Sequence, residues 1–183
     1  MAMRLVILDR DGVINYDSSE YIKTPDEWLP IPGSLEAIAR LNHADYRIII
    51  ATNQSGLARG LYDMDALARI HQKMNYLLNE VGGFIDAVFF CPHGPDANCR
   101  CRKPAPGLFD DIAARLKIDL QNVPAIGDSL RDIQAAQAVG ARPILVRTGN
   151  GEEAMLSGKL PKNVPIYADL SAAVDALLQE PTP

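Results

Sequence analysis

Residues 5–12 read Leu5-Val6-Ile7-Leu8-Asp9-Arg10-Asp11-Gly12, and this run settles the class of fold. Four consecutive apolar residues are typical of a strand that is covered on both faces, as in a parallel sheet. The two aspartates that follow place negative charge at the rim of a low-dielectric sheet, which is unfavourable unless a cation or a reacting group is bound there. A turn or a helix cap explains one of these aspartates but not both. The pair therefore indicates an active site.

Strands and helices alternate along the rest of the chain. Apolar runs predict strands over residues 4–8, 48–51, 87–90, 125–126, 143–146 and 164–167. The spacing of apolar residues predicts helices over residues 34–41, 63–81, 106–117, 130–139 and 171–178. We expect Ser34 and Asp63 to cap two of these helices, and Gly149-Asn150-Gly151 to form a turn.

This order of elements predicts an α/β fold, in which a Rossmann-like parallel sheet carries helices on both faces. We expect a single domain over residues 1–183. The segments 16–32 and 91–105 are too short for an independent cap domain, so we predict that no large cap is present and that both segments border the site as loops.

The composition limits the classes of function. The 183 residues are 48% hydrophobic and 22% charged, with a formal net charge of -5, which argues against a general nucleic-acid binder. No apolar stretch approaches the roughly 20 residues that a membrane-spanning helix needs. Met1-Ala2-Met3 leads into the first strand without a signal-peptide pattern. We expect a cytoplasmic protein with no membrane or nucleic-acid partner, and we take it to be a monomer.

Four polar clusters follow predicted strands, at the points where the strands end. They are Asp9 with Asp11, the run Thr52-Asn53-Gln54-Ser55, the run Cys91-Pro92-His93, and Gly127-Asp128-Ser129. The carboxyl ends of parallel strands share one edge of a sheet, and ligands bind outside that edge. Carboxylates gathered there would bind Mg²⁺, and one of them would be placed to act as a nucleophile. Thr52 and Lys103 would hold the oxygens of a phosphoryl group.

The three cysteines lie within eleven residues of one another, next to a histidine. Cys91, His93, Cys99 and Cys101 offer three thiolates and one imidazole, which is the ligand set of a closed tetrahedral zinc site. An odd number of cysteines so close together is a poor disulfide framework. We therefore predict a structural Zn²⁺ that stiffens this loop. Because Arg102 and Lys103 follow the last ligand directly, the metal would also fix these two cations.

The polar clusters resemble the four motifs of the haloacid dehalogenase superfamily of phosphatases, through Asp9-Arg10-Asp11-Gly12, Thr52, Lys103 and Gly127-Asp128-Ser129-Leu130-Arg131-Asp132. The resemblance implies that Asp9 attacks phosphorus and forms an aspartyl-phosphate, while Asp11 acts first as general acid and then as general base. It implies that Thr52 and Lys103 bind the phosphoryl group. Mg²⁺ would be bound by the carboxylates of Asp9 and Asp128 and by the backbone carbonyl of Asp11. Asp132 would orient Lys103 or a metal-bound water.

A response-regulator receiver is the alternative that is not an enzyme. Receivers are also parallel α/β proteins, and they also combine an aspartate that accepts phosphate with a threonine and a lysine. They lack an aspartate pair with the spacing of Asp9 and Asp11. The second aspartate, as a positioned acid and base, is what distinguishes a phosphatase from a domain that keeps its phosphate.

The zinc-loop residues narrow the resemblance to two branches of the superfamily that lack a large cap. Cys91-Pro92-His93 followed by Cys99-Arg100-Cys101-Arg102-Lys103-Pro104 is similar to the D-glycero-D-manno-heptose 1,7-bisphosphate 7-phosphatases and to the histidinol-phosphate phosphatases. Residues 52–60 and Val146-Arg147-Thr148-Gly149 resemble the heptose enzymes more. The short spacer between His93 and Cys99 is often found in histidinol phosphatases. The resemblance implies a heptose bisphosphate phosphatase in the making of ADP-heptose for lipopolysaccharide, with histidinol phosphate as the alternative substrate.

The heptose resemblance also implies contacts with the substrate. These would be made by Asp17, Ser18, Ser19, Glu20, Asn53, Gln54, Ser55 and Ser129. Arg102 would bind the second phosphate of a bisphosphorylated sugar, since a second anion needs a second cation. Two other side chains are expected outside this site. We predict His71 on the surface of its helix and Trp28 as a packing residue of the first long loop.

Overall fold

The computed structural model describes residues 4–180 of the chain. The expected domain limits at residues 1 and 183 and the segment Met1-Ala2-Met3 lie outside this range. The described strands are β1 (Arg4–Leu8), β2 (Tyr46–Asn53), β3 (Ala87–Cys91), β4 (Pro124–Gly127), β5 (Arg142–Val146) and β6 (Ile166–Tyr167). The described helices are α1 (Ser34–His43), α2 (Met64–Glu80), α3 (Gly107–Leu116), α4 (Leu130–Ala138), α5 (Gly151–Leu156) and α6 (Leu170–Gln179).

The six strands form one parallel sheet in the order β3-β2-β1-β4-β5-β6. β1 lies in the middle and pairs with β2 on one side and with β4 on the other. All strands therefore end at the same edge, and the segments that follow β1, β2 and β4 are direct neighbours there. The predicted parallel α/β sheet is confirmed.

The alternation of side chains along the central strands builds two hydrophobic cores. Val6, Leu8, Ile48 and Ile50 face a core that is completed by α1, α2 and α6. Their neighbours in the chain face the other way, toward α3 and α4. Helices thus cover both faces of the sheet, as predicted. Because each central strand is buried on both sides, it reads as a continuous apolar run in the sequence.

Two local features differ from the sequence interpretation. The residue that caps α1 is Gly33, with φ of 82°, and the expectation that Ser34 is the cap is wrong. Ser34 already belongs to the helix, and its hydroxyl donates a hydrogen bond to the carbonyl of Ile14 at 2.6 Å. The sequence pattern does not predict α5, because this six-residue helix directly follows the turn signal Gly149-Asn150-Gly151.

The two long connections contain only short helical turns in the part of the chain that the structure describes. One turn spans Pro25–Glu27 and the other spans Pro95–Ala97, so no large cap covers the sheet edge within residues 4–180. Trp28 follows the first turn and is completely buried in the core of α1 and α2, which confirms its packing role. Among the described helices, none is both long enough and apolar enough to cross a membrane.

Candidate active site

A polar cavity of about 260 Å³ lies at the carboxyl edge of the sheet. Most residues predicted for the site line it: Asp9, Asp11, Asp17, Ser18, Ser19, Thr52, Asn53, Gln54, Ser55, Arg102, Lys103, Asp128, Ser129 and Asp132. Glu20 is exposed and does not line the cavity. The four expected zinc ligands lie outside it, as a separate cluster.

Three carboxylates meet at the floor of this cavity. Asp9 follows β1 and Asp128 follows β4, so the pairing of these two strands makes the two residues neighbours. Asp132 joins them from the first turn of α4, and carboxylate oxygens of all three lie within 4.8 Å of one another. Burial, and then the repulsion between the acids, raises the pKa of Asp9 to about 7 and that of Asp128 to about 8.

Lys103 is the cation among these acids. Its side chain is 3% exposed, and Nζ lies 2.6 Å from Asp132 Oδ1 and 3.1 Å from Asp9 Oδ1. Nζ also donates a hydrogen bond to the carbonyl of Ala51 at 2.7 Å. Burial acts to lower the pKa of Lys103, but the carboxylates of Asp132 and Asp9 outweigh it and raise that pKa above its usual value. Lys103 therefore stays protonated beside the acids.

Asp132 is held in a fixed orientation by its own helix. Its second oxygen, Oδ2, accepts hydrogen bonds from the Ser129 amide at 3.0 Å and from the Ser129 hydroxyl at 2.6 Å, and the first of these belongs to the capping box of α4. Burial acts to raise the pKa of Asp132, but Lys103 and the hydrogen bonds from Ser129 lower it below its usual value. Asp132 and Lys103 thus form a buried ion pair.

The Asp128 carboxylate occupies space that two glycines leave open. A Cβ atom on Gly12 would lie 2.0 Å from Asp128 Oδ2, and one on Gly149 would lie 2.1 Å from the same oxygen. This oxygen accepts hydrogen bonds from the backbone amide of Asn150 at 2.9 Å and from its side-chain amide at 3.2 Å. The carboxylate is thereby fixed beside Asp9, where a divalent cation suits the donor set.

Asp11 lies near Asp9 at the cavity, but its carboxylate has other partners. It accepts hydrogen bonds from Arg10 Nε at 2.9 Å, from Asn15 Nδ2 at 2.9 Å and from Gln54 Nε2 at 3.0 Å. The side chain is 21% exposed. Asp11 is thus a solvent-accessible carboxyl group with a defined orientation, as a general acid requires.

The run after β2 supports the site from the opposite side. The amide of Asn53 exchanges two hydrogen bonds with the backbone of Lys103, at 3.0 and 3.1 Å, and so positions that residue. Gln54 is 3% exposed, and its Nε2 donates to Asp11 and to Thr52 Oγ1, each at 3.0 Å. Gln54 therefore uses its amide for hydrogen bonds to other protein side chains, whereas the sequence resemblance implied a contact with substrate.

The cysteine loop brings four potential metal ligands together. The Sγ atom of Cys91 lies 3.6 Å from that of Cys99 and 3.0 Å from that of Cys101. Nδ1 of His93 lies 3.2 Å from Cys101 Sγ and 3.6 Å from Cys91 Sγ. Four such atoms within 4.8 Å of one another are compatible with a tetrahedral zinc site.

Sequence reasoning missed three residues of the site or its surroundings. Arg131 and Tyr62 line the cavity, and Asn150 binds Asp128. A signal was available for Arg131, because an arginine in the first turn of a helix opposes the helix dipole. No comparable signal marks Tyr62. Asn150 lies in the turn that its neighbouring glycines predict, and that turn signal gives no indication that Asn150 also donates hydrogen bonds to Asp128.

The expectation that His71 is a surface residue is wrong. Its ring is half-buried, and its Nε2 lies 3.2 Å from the Nη1 of Arg10. Arg10 is itself completely buried, so it needs a hydrogen-bond acceptor on this side. Burial, and then the charge of Arg10, lowers the pKa of His71 to about 4, which keeps the ring neutral and able to accept.

The chain is similar along nearly its whole length to a protein of Bordetella bronchiseptica named D-glycero-β-D-manno-heptose-1,7-bisphosphate 7-phosphatase. The two are 56% identical over 178 residues, which cover 97% of this chain and 99% of the relative. The chain belongs to this phosphatase family. A member from Pseudomonas aeruginosa with the same name is 50% identical over 98% of this chain and 100% of its own length.

Solved structures of the heptose bisphosphate phosphatase family have the same fold as this chain. The crystal structure of D,D-heptose 1,7-bisphosphate phosphatase from B. bronchiseptica, complexed with magnesium and phosphate, superposes with a TM-score of 0.96 over 98% of this chain and all of that chain. The family member from Burkholderia thailandensis gives 0.78 at 46% identity, over 97% and 99% of the two chains. A family profile described as HAD-hydrolase-like matches residues 100–173. The chain is therefore a phosphoric monoester hydrolase of the haloacid dehalogenase type.

Proposed function

We propose that this chain hydrolyses the 7-phosphate of D-glycero-β-D-manno-heptose 1,7-bisphosphate, the reaction for which its 56%-identical relative is named. One observation of the structure carries the proposal. The buried carboxylates of Asp128 and Asp132, the 14% exposed carboxylate of Asp9 and the buried ammonium of Lys103 meet at the floor of a polar cavity. Such a cluster suits a phosphoryl group that is held between a cation and an attacking carboxylate.

The proposed reaction transfers the phosphoryl group first to Asp9 and then to water. A carboxylate oxygen of Asp9 attacks phosphorus, and the bond between phosphorus and the sugar oxygen breaks. Asp11 donates the proton that the departing oxygen needs, and then takes a proton from the water that hydrolyses the aspartyl-phosphate. Lys103, whose Nζ is 3.1 Å from Asp9, and Thr52 would bind phosphoryl oxygens as their charge develops.

The catalytic Mg²⁺ is assigned to the carboxylates of Asp9 and Asp128 and the backbone carbonyl of Asp11. The residues present fit a dication, because three clustered acids exceed the charge of the one lysine and burial raises the pKa of two of them. When bound, Mg²⁺ offsets the charge of the phosphoryl group and of the attacking carboxylate. Asp132 bonds to Lys103 at 2.6 Å, which supports a role in orienting that lysine.

The structural Zn²⁺ is assigned to Cys91, His93, Cys99 and Cys101. Four protein ligands leave no position for a water, so this metal would shape the loop and take no part in the reaction. The backbone carbonyl of His93 accepts a hydrogen bond from Arg102 Nη1 at 3.3 Å. Holding the ligands would therefore hold Arg102 as well as Lys103, which orders both cations before substrate arrives.

The second phosphate of the substrate is assigned to Arg102 and Arg131. Both residues line the catalytic cavity and also an adjoining groove of about 390 Å³ beside the cysteine loop. Arginine is suited to bind phosphate through two parallel hydrogen bonds. The sugar hydroxyls would face Asp17, Ser18 and Ser19 on the cavity wall, as well as Ser55 and Ser129. Glu20 is exposed and does not line the cavity, so we assign it no contact with the substrate.

The proposed substrate places the chain in the formation of ADP-heptose for the inner core of lipopolysaccharide or another heptosylated glycan. A soluble sugar bisphosphate as substrate supports a cytoplasmic location. We further propose that the chain forms one domain, which brings together all residues assigned to the site, and that the protein is a monomer.

The test measures phosphate release in the presence of Mg²⁺, with heptose 1,7-bisphosphate and histidinol phosphate at equal concentrations. We expect kcat/KM to favour the bisphosphate several hundredfold, roughly 3–4 kcal/mol of transition-state binding. Arg102→Ala and Arg131→Ala should reduce this preference, whereas Arg115→Ala, an exposed residue of α3, should not. A preference for histidinol phosphate would replace the proposal by the alternative drawn from the short cysteine loop.

A further inference from the structure

Arg10, Gln54, His71 and Tyr62 form a hydrogen-bonded network behind Asp11, and of these Gln54 and Tyr62 also line the cavity. Arg10 is completely buried although it lies between two active-site aspartates. Its Nε and Nη2 donate to the two oxygens of Asp11 at 2.9 and 3.0 Å, and its Nη1 lies 3.2 Å from Nε2 of His71. The guanidinium is thus fixed on both sides, by the carboxylate in front and the imidazole behind.

Gln54 forms a second support for the same carboxylate. Its Nε2 donates to Asp11 Oδ2 at 3.0 Å and its Oε1 accepts from Tyr62 Oη at 2.6 Å and from Arg10 Nη2 at 3.2 Å. An amide that rotated by 180° would set its NH₂ group against the arginine donors. The two donors behind Gln54 therefore keep its own donor directed at Asp11.

The outer members of the network come from one part of the chain. His71 lies on α2, and Tyr62 lies just before the start of this helix. A guanidinium has donors only, so the nitrogen of His71 that faces Arg10 must accept. The low pKa of His71 agrees with this neutral form. Both residues contact the support of Asp11 and neither is one of the predicted site residues.

We propose that His71 and Tyr62 are positioning residues, which act through Arg10 and Gln54 to hold the Asp11 carboxyl group toward the oxygen that leaves phosphorus. This inference rests on the proposed function, in which Asp11 donates a proton to that oxygen. The requirement for the proton depends on the leaving group. A sugar alkoxide is a poor leaving group and needs it, whereas p-nitrophenolate leaves without it. Loss of this positioning should therefore lower kcat/KM for sugar phosphates more than for p-nitrophenyl phosphate.

The experiment compares kcat/KM for heptose 1,7-bisphosphate and for p-nitrophenyl phosphate in the Mg²⁺-loaded protein. This parameter covers steps up to release of the alcohol, so hydrolysis of the aspartyl-phosphate does not enter. His71→Leu and Tyr62→Phe should lower kcat/KM for the sugar substrate roughly 10- to 100-fold, and that for p-nitrophenyl phosphate less than about 3-fold. His71→Gln, which retains an acceptor, should recover most of the activity.

Three comparisons decide the outcome. Tyr76 lies on the same helix and is 63% exposed, so Tyr76→Phe should leave kcat/KM unchanged for both substrates. Asp11→Asn should show the full selectivity for the leaving group, and if it shows none, the proposed role of Asp11 is itself wrong. Suppose that Asp11→Asn lowers kcat/KM selectively for the sugar substrate, but that His71→Leu and Tyr62→Phe lower kcat/KM equally for both substrates or for neither. The positioning role is then overturned while the proposed function stands. Tyr62→Phe keeps the buried ring, so a folding defect of His71→Leu leaves the test intact.

Discussion

Replacing Lys103 by methionine should destabilise the folded protein by about 3–5 kcal/mol in the absence of Mg²⁺, because it removes one partner of a buried ionic cluster. The ammonium lies 2.6 Å from Asp132 and 3.1 Å from Asp9, and it donates a hydrogen bond to the carbonyl of Ala51. Methionine fills a similar volume but makes none of these contacts. Two buried carboxylates are left without a cation.

The loss should depend on pH and on Mg²⁺. Without Lys103, the folded-state pKa of Asp9 rises further above 3.8, the value of an unfolded aspartate, and Asp132 loses the cation that holds its pKa below that value against burial. The folded variant then binds protons more readily than the unfolded chain, so it is penalised most above both pKa values and least at acid pH. The deficit relative to the unchanged protein should therefore be smaller at pH 5 than at pH 8. Added Mg²⁺ should recover part of it.

Urea unfolding at pH 5 and pH 8 measures this effect. The buffers contain no chelator, so that the proposed zinc would stay bound, and each series is repeated with Mg²⁺. The control is Arg142→Met, which breaks an ion pair with Glu180 whose side chains are 35% and 43% exposed and should cost less than about 1 kcal/mol. If Lys103→Met costs no more than this control, or costs the same at both pH values, the account of the acidic cluster is wrong.

Three further changes have defined outcomes. Asp11→Asn should lower turnover of the sugar substrate roughly 10²- to 10⁴-fold, measured as steady-state phosphate release; an unchanged rate would contradict its acid and base role. Acidification from pH 7 to pH 5 should remove about 2 kcal/mol of stability through His71, whose pKa falls from 6.5 to about 4 beside Arg10 on folding, since the unfolded chain then binds the proton more tightly. Chemical denaturation of the unchanged protein and of His71→Gln at both pH values checks this: the stability of the variant relative to the unchanged protein should rise by about 2 kcal/mol from pH 7 to pH 5, and a difference that does not change with pH would refute it. Cys101→Ser should lower the zinc content measured by atomic emission and raise KM for the sugar bisphosphate, because the loop that carries Arg102 and Lys103 is no longer fixed by the metal. Normal zinc content with unchanged kinetics would argue against the site.

The sequence was sufficient to predict the inner part of the site. A buried parallel strand is an uninterrupted apolar run, so the ends of β1 and β4 could be located and the residues that follow them, Asp9 and Asp128, could be assigned to one edge. The cysteine cluster was equally clear, because its four potential metal ligands lie close together in the chain. In both cases a strict local pattern carries the information.

The outer part of the site could not be predicted in this way. His71 interrupts no pattern on α2, and only the packing of that helix beside the β1 loop brings its ring to Arg10. A contact partner decided by tertiary packing leaves no periodic signal. Gln54 was placed correctly at the cavity, but its hydrogen bonds to Asp11 and Tyr62 depend on the side chains around it. Sequence position alone does not separate a residue that contacts substrate from one that supports it.

The pairing of β1 with β4 has a consequence for the synthesis of the chain. Asp9 is synthesised before β2, β3 and Asp128, and the two acids meet only when β4 joins the free side of β1. A nascent chain on the ribosome therefore carries an unpaired edge of β1 until β4 has been synthesised. The same event closes that edge of β1 and brings the two acids together, so the ability to bind a divalent cation there would report that β4 has joined the sheet.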